Sequence, residues 1–463
     1  MTKIKGIYSS KFENVFLEPV ASPQIVKDAK TEMELVVLYP SMQLGQVNGF
    51  GGAVTPSSGE LFNQLSDENQ TKLLEYYFSS KGLDYNSGRL SIGACDFSRG
   101  GYSYCDTDGD TELSSFQIDE DRKVILPFLK KILNKKKNDF CLIASPWSPP
   151  GWMKTNGSLS GGGKLKKELY GVWAKYFVKY IQAYREMNIA IEYVSAQNEP
   201  NANQTWESCF YSADDEKSFI CDYLKPALRA EFGNDVKIIM WDHNKENMYI
   251  RAKRLLDSPD SRDCVDAIAF HWYSGDHFEN LSYCKASFPD KELIFSEASI
   301  ELANNETTMA QKANKGAYKN SFWEYGECYA HDIIGNFNHG MNRFLDWNLL
   351  LDESGGPNHV GNFCAAAILC NIEKQQLMLQ PIYYFLYHFS HFVSKGSQVI
   401  GCSRYSQDIE VCAFRTLKEE LVVVVLNSTE KPINYGLKNA ENNSLIKLTA
   451  KPKSIYTWVI SED

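Results

Sequence analysis

Residues 191–200 read IEYVSAQNEP, a short apolar stretch that runs directly into a cluster of polar side chains. Seven further stretches in the middle of the chain have the same form, and amphipathic helical patterns lie between them. The eight apolar stretches are residues 49–54, 88–93, 141–145, 191–196, 236–240, 267–270, 293–296 and 343–347. Short apolar strands that alternate with helices are typical of a parallel sheet buried on both faces. Eight such units predict a (β/α)8 barrel with long loops.

The two ends of the chain have a different pattern. Residues 34–38 are short and β-branched, and the C-terminal part contains strand-like runs at 409–414, 421–426, 444–448 and 454–460, separated by turn residues. This spacing is typical of antiparallel strands. We therefore expect one antiparallel β-sandwich built from both termini, residues 1–47 and 394–463, attached to a catalytic barrel at residues 48–393.

Composition narrows the function classes. The 463 residues carry a formal net charge of −10 and contain no long basic run, which argues against nucleic acid as a partner. No stretch of about 18 apolar residues is present, so we expect no membrane span. The twelve cysteines form no C-x-x-C pair, which argues against a zinc site. The first residues do not read as a signal peptide, so the expected location is cytoplasmic.

Polar and aromatic groups follow nearly every predicted barrel strand. Barrel enzymes carry their active sites at the carboxyl ends of the strands, so the residues found there indicate the chemistry. In chain order the strand ends supply Gly51 and Gly52, Asp96, Trp147, residues 198–200, residues 241–243, residues 271–273, Glu297 and residues 346–348. Carboxylates, amides, imidazoles and flat rings in one ring of positions suit a polyhydroxylated ligand with apolar faces.

Two glutamates, Glu199 and Glu297, follow the fourth and seventh strands. Glycoside hydrolysis needs two carboxyl groups, one that protonates the leaving oxygen and one that attacks the anomeric carbon in a retaining enzyme. Asn198, just before Glu199, is placed to bond the sugar 2-hydroxyl. This mechanism needs no metal and no organic cofactor. The histidines also lack the H-E-x-x-H spacing of a metal-dependent hydrolase.

Several segments resemble glycoside hydrolase family 30, and within it the glucosylceramidase (acid β-glucosidase) branch. The most specific of them is ASPWSPPGWMKTNG at residues 144–157. The others are residues 197–200, 271–273, 295–298, 346–349, 355–358 and 388–392. The likeness extends from about Phe50 to the C-terminal strands, and a β-sandwich side domain is also a feature of the family.

The resemblance implies a role for each matched residue. Glu199 would be the acid/base and Glu297 the nucleophile of a retaining double displacement. Four further matched positions would hold the sugar in the first subsite: Asp96, Trp147, Asn198 and Trp347. Three more would lie near the nucleophile or the entrance: His271, Tyr273 and Asn362.

The sequence departs from the lysosomal glucosylceramidases at three places. Ser299 stands where they carry a cysteine, Gln197 replaces an acidic residue, and the loop 201–209 is shorter. Because such loops line the leaving-group side, we expect a soluble β-glucoside or a short oligosaccharide as substrate rather than ceramide. The alternatives within the family are an endo-β-1,6-glucanase and a β-xylosidase. A catalytically dead carbohydrate-binding protein is the alternative from another class, and the oligomeric state stays open.

Overall fold

The structure is a computed structural model that describes residues 3–27, 33–137, 139–302 and 322–461. Its strands, numbered in chain order, are β1 Lys3–Ser10, β2 Val15–Val20, β3 Ile25–Lys27, β4 Glu34–Gln46, β5 Gly49–Ala53, β6 Ser87–Ile92, β7 Cys141–Pro146, β8 Tyr193–Ser195, β9 Lys237–Asn244, β10 Ala267–His271, β11 Glu292–Glu297, β12 Arg343–Asn348, β13 Leu351–Asp352, β14 Ile368–Asn371, β15 Gln376–Leu379, β16 Gln398–Arg404, β17 Glu410–Arg415, β18 Leu421–Asn427, β19 Ile433–Asn439, β20 Ser444–Ala450 and β21 Ser454–Ser461.

The α-helices lie mainly between the barrel strands. In the described ranges they are α1 Pro56–Gln64, α2 Asp67–Phe78, α3 Asp119–Lys136, α4 Tyr170–Arg185, α5 Ala213–Ser218, α6 Lys225–Phe232, α7 Met248–Leu255, α8 Pro259–Asp263, α9 Phe278–Ser287, α10 Trp323–Asn338 and α11 Pro381–Ser390. A π-helical turn at Phe219–Leu224 joins α5 to α6. Within the ranges given above, each helix is too short or too polar to cross a membrane.

Strands β5 to β12 form a closed barrel in which each strand is parallel to the next along the chain. The barrel closes where β12 pairs with β5, with Phe344 opposite Phe50. Both faces of the strands are buried, which explains their nearly continuous apolar sequences. An inner cluster of alternate side chains fills the barrel: Cys141, Ile143, Tyr193, Ile239, Ala267, Ala269, Ile294 and Leu345. The predicted (β/α)8 barrel is thus confirmed.

The first barrel strand depends on glycine. A Cβ atom added to Gly51 would lie 1.9 Å from the carbonyl oxygen of Ser87 in β6. That contact is with backbone, which has no rotamer through which to move away. The glycines that open this strand therefore permit the close approach of β5 to β6.

A ten-stranded sheet contains strands from both ends of the chain, in the order β2-β1-β21-β18-β17-β16-β4-β19-β20-β3. The first and last strands of the chain, β1 and β21, pair along their whole length, from Lys3 opposite Ser461 to Ser10 opposite Ser454. The pairing of β4 with β19 is parallel, and the other pairs are antiparallel. The sheet built from both termini confirms the predicted fold class. The predicted run at 34–38 is the first part of the longer strand β4.

The sheet packs against two helices of the barrel. Phe337 in α10 contacts Phe414 in β17 with ring centroids 5.0 Å apart. His388 in α11 lies between Ser9 Oγ, 3.0 Å from its Nε2, and Thr457 Oγ1, 2.9 Å from its Nδ1. Burial lowers the pKa of His388 to about 3, so its imidazole is neutral at this junction.

Candidate active site

A cavity of about 430 Å³ opens at the carboxyl ends of the barrel strands. Its lining combines carboxylates, amides, a histidine and indole rings, which come from segments far apart in the sequence. The lining residues are Asp96, Trp147, Asn198, Glu199, Gln204, Trp206, His243, Asn244, Tyr273, Ser274, Glu297, Glu301, Trp347, Asn362 and Cys364. This face of the barrel is where barrel enzymes place their chemistry.

A buried arginine in β6 organises the floor of this cavity. The guanidinium of Arg89 is fully buried and donates hydrogen bonds to Glu297 Oε2 at 2.6 Å, Asn198 Oδ1 at 2.7 Å and Asp242 Oδ2 at 2.9 Å. Its Nε donates to Ser145 Oγ at 3.3 Å. One cation therefore fixes side chains that follow or belong to four different strands.

Glu297, the last residue of β11, is bonded through both carboxylate oxygens. Arg89 donates to Oε2, and the phenol of Tyr273 donates to Oε1 at 2.9 Å. Burial and the charge of Glu297 raise the pKa of Tyr273 well above its ordinary value, so the phenol keeps its proton and remains a donor. Two donors, one on each oxygen, hold this carboxylate in one orientation.

Glu199 lies in an uncommon backbone conformation, with φ of +49°. Its N–H donates to the carbonyl of Asp242 at 3.0 Å, which supports this conformation. The carboxylate oxygen Oε1 lies 3.1 Å from His271 Nδ1 and 3.6 Å from His243 Nδ1. Burial raises the pKa of Glu199, but the two imidazoles outweigh burial and lower it overall.

A β-bulge in β9 turns Asp242 towards the barrel axis. Opposite β10, Ala269 pairs with Trp241 and Phe270 with His243, so Asp242 is the extra residue. Both Trp241 and Asp242 have positive φ, +72° and +52°. Bulges next to active sites commonly re-aim a side chain. Here the bulge places a carboxylate between Arg89 and the histidines.

His271 connects Asp242 to Glu199. Its Nε2 lies 3.2 Å from Asp242 Oδ1, while its Nδ1 faces Glu199. Burial lowers the pKa of His271, but the charge of Glu297 and the bonds to Asp242 and Glu199 raise it to about 9. Below that pH the pair of Glu199 and His271 therefore holds a proton next to the cavity.

Two tryptophans form the apolar wall. Trp147 and Trp347 stack with ring centroids 5.2 Å apart and planes 21° from parallel. The Arg89 guanidinium carbon lies 4.9 Å from the centre of the Trp147 ring and 5.5 Å from that of the Trp347 ring. These cation–π contacts help to fix both indoles. A sugar ring presents a flat apolar face of the kind that stacks on such a surface.

Asp96 supplies a carboxylate at the edge of the cavity. Its Oδ2 accepts from Asn358 Nδ2 at 3.2 Å and from Asn362 Nδ2 at 3.4 Å. Burial, together with the charge of Glu297, raises its pKa well above the ordinary value. Asp96 and the amide of Asn362 are therefore fixed by the same small network.

Most residues that the sequence singled out surround the same cavity. Eight of the nine line it: Asp96, Trp147, Asn198, Glu199, Tyr273, Glu297, Trp347 and Asn362. His271 instead lies under the cavity wall, fully buried, and touches it through Glu199. Gln197, a departure from the lysosomal pattern, donates to the carbonyl of Trp147 at 2.7 Å.

Sequence reasoning missed Arg89 and gave no role to Asp242 or His243. A charged residue inside the apolar run 88–93 was the available signal for Arg89, because a buried charge needs partners. Glu199, His243 and His271 are also the group that could hold a metal ion in the described ranges.

A pair of buried, differently bonded carboxylates beside a wall of indoles defines a class of enzyme. Glycoside hydrolases place two carboxyl groups at the scissile bond and stack the sugar on aromatic rings. Comparison with known proteins identifies the family. Residues 47–393 match the glycosyl hydrolase family 30 TIM-barrel domain, and residues 396–458 match the family 30 beta sandwich domain. The chain belongs to glycosyl hydrolase family 30, and this membership implies O-glycosyl hydrolase activity.

Relatives within the family differ in their named substrates. The lysosomal acid glucosylceramidase of Mus musculus is 34% identical over 92% of this chain and 83% of its own length. The endo-1,6-beta-D-glucanase of Neurospora crassa is 27% identical over 91% and 86%. Among solved structures, SrfJ from Salmonella typhimurium has a TM-score of 0.93 at 33% identity, and an endo-beta1,6-glucanase has 0.84 at 26%; each covers 100% of both chains.

Replacing Arg89 tests how much this buried cation contributes to the stability of the fold. In Arg89→Met, Glu297 and Asp242 lose their compensating charge, so the free energy of unfolding should fall by about 3–5 kcal/mol. Urea denaturation measures this loss. Arg99→Met is the matched control, because the Arg99 side chain is 79% exposed in its pair with Glu60 and its loss should change stability little. Equal losses in the two variants would contradict the role given to Arg89.

Proposed function

We propose that the protein is a retaining β-glucosidase of the glucosylceramidase type, with Glu199 as acid/base and Glu297 as nucleophile. The observation that carries this proposal is the asymmetry of the two carboxylates in one cavity. Glu297 is bonded to a cation and a phenol, whereas Glu199 is bonded to a histidine that carries a proton. Pairs of titratable groups in contrasting environments are how such sites separate nucleophile from acid.

The nucleophile must be ionised and correctly oriented before the substrate arrives. Arg89 is bonded to one oxygen of Glu297 at 2.6 Å, and Tyr273 donates to the other at 2.9 Å, so the side chain is already oriented. A sugar seated against Trp147 and Trp347 would present its anomeric carbon to this carboxylate. The reaction would form a covalent glycosyl-enzyme with release of the aglycone.

The acid must deliver one proton to the leaving oxygen. The proton shared by Glu199 and His271 is available there, because His271 Nδ1 lies 3.1 Å from Glu199 Oε1. When the sugar bonds to Glu297, the charge of that carboxylate disappears, and with it a large contribution that raises the pKa of His271. The pKa of the pair then falls, so the pair stays deprotonated after it has given up its proton. In that state it can accept a proton from the attacking water in the second step.

We assign Asn198 to recognition of the sugar. Its carbonyl oxygen accepts from Arg89, so the amide group is the donor that it offers to a substrate hydroxyl. A hydrogen bond to the sugar 2-hydroxyl strengthens in the transition state. Asp96 and Asn362, linked to each other, provide further polar groups on the same cavity.

We infer the preference for glucosides from the names of two relatives. The mouse protein named as a lysosomal acid glucosylceramidase and a Caenorhabditis elegans protein named as putative glucosylceramidase 3 are 34% and 31% identical over nearly the whole chain. The loop 201–209 contributes Gln204 and Trp206 to the cavity, and we assign it to the aglycone side. A soluble β-glucoside or short oligosaccharide, rather than ceramide, is the proposed substrate.

An endo-β-1,6-glucanase is the second candidate. The relatives of that name match about nine-tenths of the chain at 26–27% identity, and the solved endo-beta1,6-glucanase covers it fully. The solved xylanases are only 14–18% identical and share the fold alone, so they lend no weight to a β-xylosidase. The cavity of about 430 Å³ is large enough for a small ligand.

A panel of aryl β-glycosides tests the proposed substrate class. The glucoside should be hydrolysed in preference to the xyloside, galactoside and fucoside. Glu297→Gln should lower kcat by more than about 10³-fold, the scale on which loss of a catalytic nucleophile acts. Glu60→Gln, a change in a carboxylate outside the cavity, serves as control. Failure on every aryl glycoside with cleavage of a β-1,6-glucan would favour the second candidate, and near-normal activity of Glu297→Gln would remove its assigned role.

Azide rescue tests retention and the role of Glu199. Glu199→Ala should hydrolyse natural leaving groups poorly, yet still form the glycosyl-enzyme from an activated aryl glycoside. Added azide needs no general base, so it should restore turnover and yield the β-glycosyl azide. Identification of the product anomer by NMR is the measurement. An α-azide, or no effect of azide, would contradict retention with Glu199 as acid/base.

The pH dependence of kcat/KM tests the shared proton. Because the pKa of His271 is raised to about 9, the pair keeps its proton below that pH and loses it above. Activity on a substrate with a poor leaving group should therefore fall with an apparent pKa of about 9 on the alkaline side. A highly activated aryl glycoside, which needs little protonation, should show a weaker decline. A limb at the ordinary histidine pKa of 6.5 would contradict the sharing.

A further inference from the structure

Three potential metal ligands converge on one point beside the cavity. Glu199 Oε1 lies 3.1 Å from His271 Nδ1 and 3.6 Å from His243 Nδ1. One ligand atom from each of the three side chains lies within 4.8 Å of the other two. In a tetrahedral zinc site with bonds of about 2.1 Å, neighbouring ligand atoms are separated by about 3.4 Å. Two of the three separations, 3.1 and 3.6 Å, lie close to that value.

The histidine His271 is held as metal-binding histidines are held. Such a histidine usually gives its other ring nitrogen to a carboxylate, which fixes the ring and raises its basicity. Here the Nε2 of His271 faces Asp242 Oδ1 at 3.2 Å. Asp242 is itself fixed, since Ser296 Oγ donates to it at 2.6 Å and Arg89 at 2.9 Å. The outer support of a metal ligand is therefore present.

The histidine His243 points a buried nitrogen at the same place. Its Nδ1 has no hydrogen-bond partner among the described residues, and the 3.6 Å to Glu199 is longer than a hydrogen bond. Its ring packs 5.1 Å from that of Trp241, so the orientation is fixed by neighbours. An unpaired buried nitrogen costs free energy, and a metal ion would satisfy it.

Charge and ligand type indicate which ion fits. Glu297 and Asp242 pair with the one buried guanidinium of Arg89, and Glu199 adds a third carboxylate beside the histidines, so the local charge favours a cation. Two imidazoles with one carboxylate suit zinc or copper, whereas Mg²⁺ and Ca²⁺ prefer sets of oxygen ligands. Glu199 and His243 both line the cavity, which leaves a remaining ligand position open to water.

We propose that Glu199, His243 and His271 bind one Zn²⁺-type ion, and that this ion blocks the active site. The metal would occupy the carboxylate and imidazole that carry the proton, so hydrolysis would stop until the ion is removed. The inhibition rests on the proposed function, whereas the binding does not. The ion is therefore an inhibitor at this site and has no part in the reaction.

Metal binding is measured by isothermal titration calorimetry of chelator-treated protein with ZnCl2 and, separately, MgCl2. The variant is His243→Asn, which removes one of the two imidazole ligands. The matched control is His277→Asn, at a histidine near the surface and outside the cavity. Zinc should bind the wild-type protein and His277→Asn equally, and at least about tenfold more weakly to His243→Asn, with no comparable site for magnesium. Equal zinc affinity in all three proteins would overturn the proposal.

Cobalt spectroscopy gives a readout that does not depend on activity. Co²⁺ added to the wild-type protein should produce the visible absorption of a four-coordinate ion, and His243→Asn should lose it. Zinc should also inhibit glycoside hydrolysis by the wild type, with recovery on EDTA. If metal binding depends on His243 but the protein hydrolyses no glycoside, the metal site is supported and the proposed function fails. If the protein hydrolyses glycosides but its metal binding is the same with and without His243, the metal site is overturned and the proposed function stands.

Discussion

The buried guanidinium of Arg89 is the constraint on which the rest of the site depends. A charge that is fully removed from water is tolerated only with close partners, and Arg89 finds them in Glu297, Asp242 and Asn198. Those partners belong to or follow β11, β9 and β8, so one side chain of β6 sets the relative positions of four strand ends. The indoles of Trp147 and Trp347 lie against the same guanidinium, which couples the polar floor to the apolar wall.

Local backbone distortion completes what Arg89 begins. The bulge at Trp241 and Asp242 adds one residue to β9 and directs the Asp242 carboxylate inward. From there the contacts pass to His271 and on to Glu199, which has positive φ itself. Backbone strain of this kind persists where the surrounding structure fixes it. Here Arg89 holds the Asp242 side chain, and the Glu199 N–H donates to the Asp242 carbonyl. The same chain of contacts places a protonated His271 beside Glu199, with the nitrogen of His243 nearby.

The two glutamates therefore differ because of their neighbours and not because of their type. A cation and a phenol hold Glu297, and a pair of histidines surrounds Glu199. In the proposed mechanism, a sugar bound to Glu297 would remove one charge from this network, and the effect would reach His271 through space. The ten-stranded sheet lies apart from this chemistry and packs on α10 and α11, where neutral His388 joins it to the barrel.

The sequence by itself determined the eight barrel strands, the β-rich termini and the family, because buried parallel strands read as apolar runs and the segment 144–157 is highly specific. It also supplied Glu199, Glu297 and most of the residues that line the cavity, since the ends of parallel strands meet at one face. Only the tertiary structure decided the roles of Arg89, Asp242 and His243. The bulge, the ionic partners of a buried charge and the contact between Glu199 and His271 depend on residues as far as 208 positions apart. Spacing along the chain does not encode such contacts.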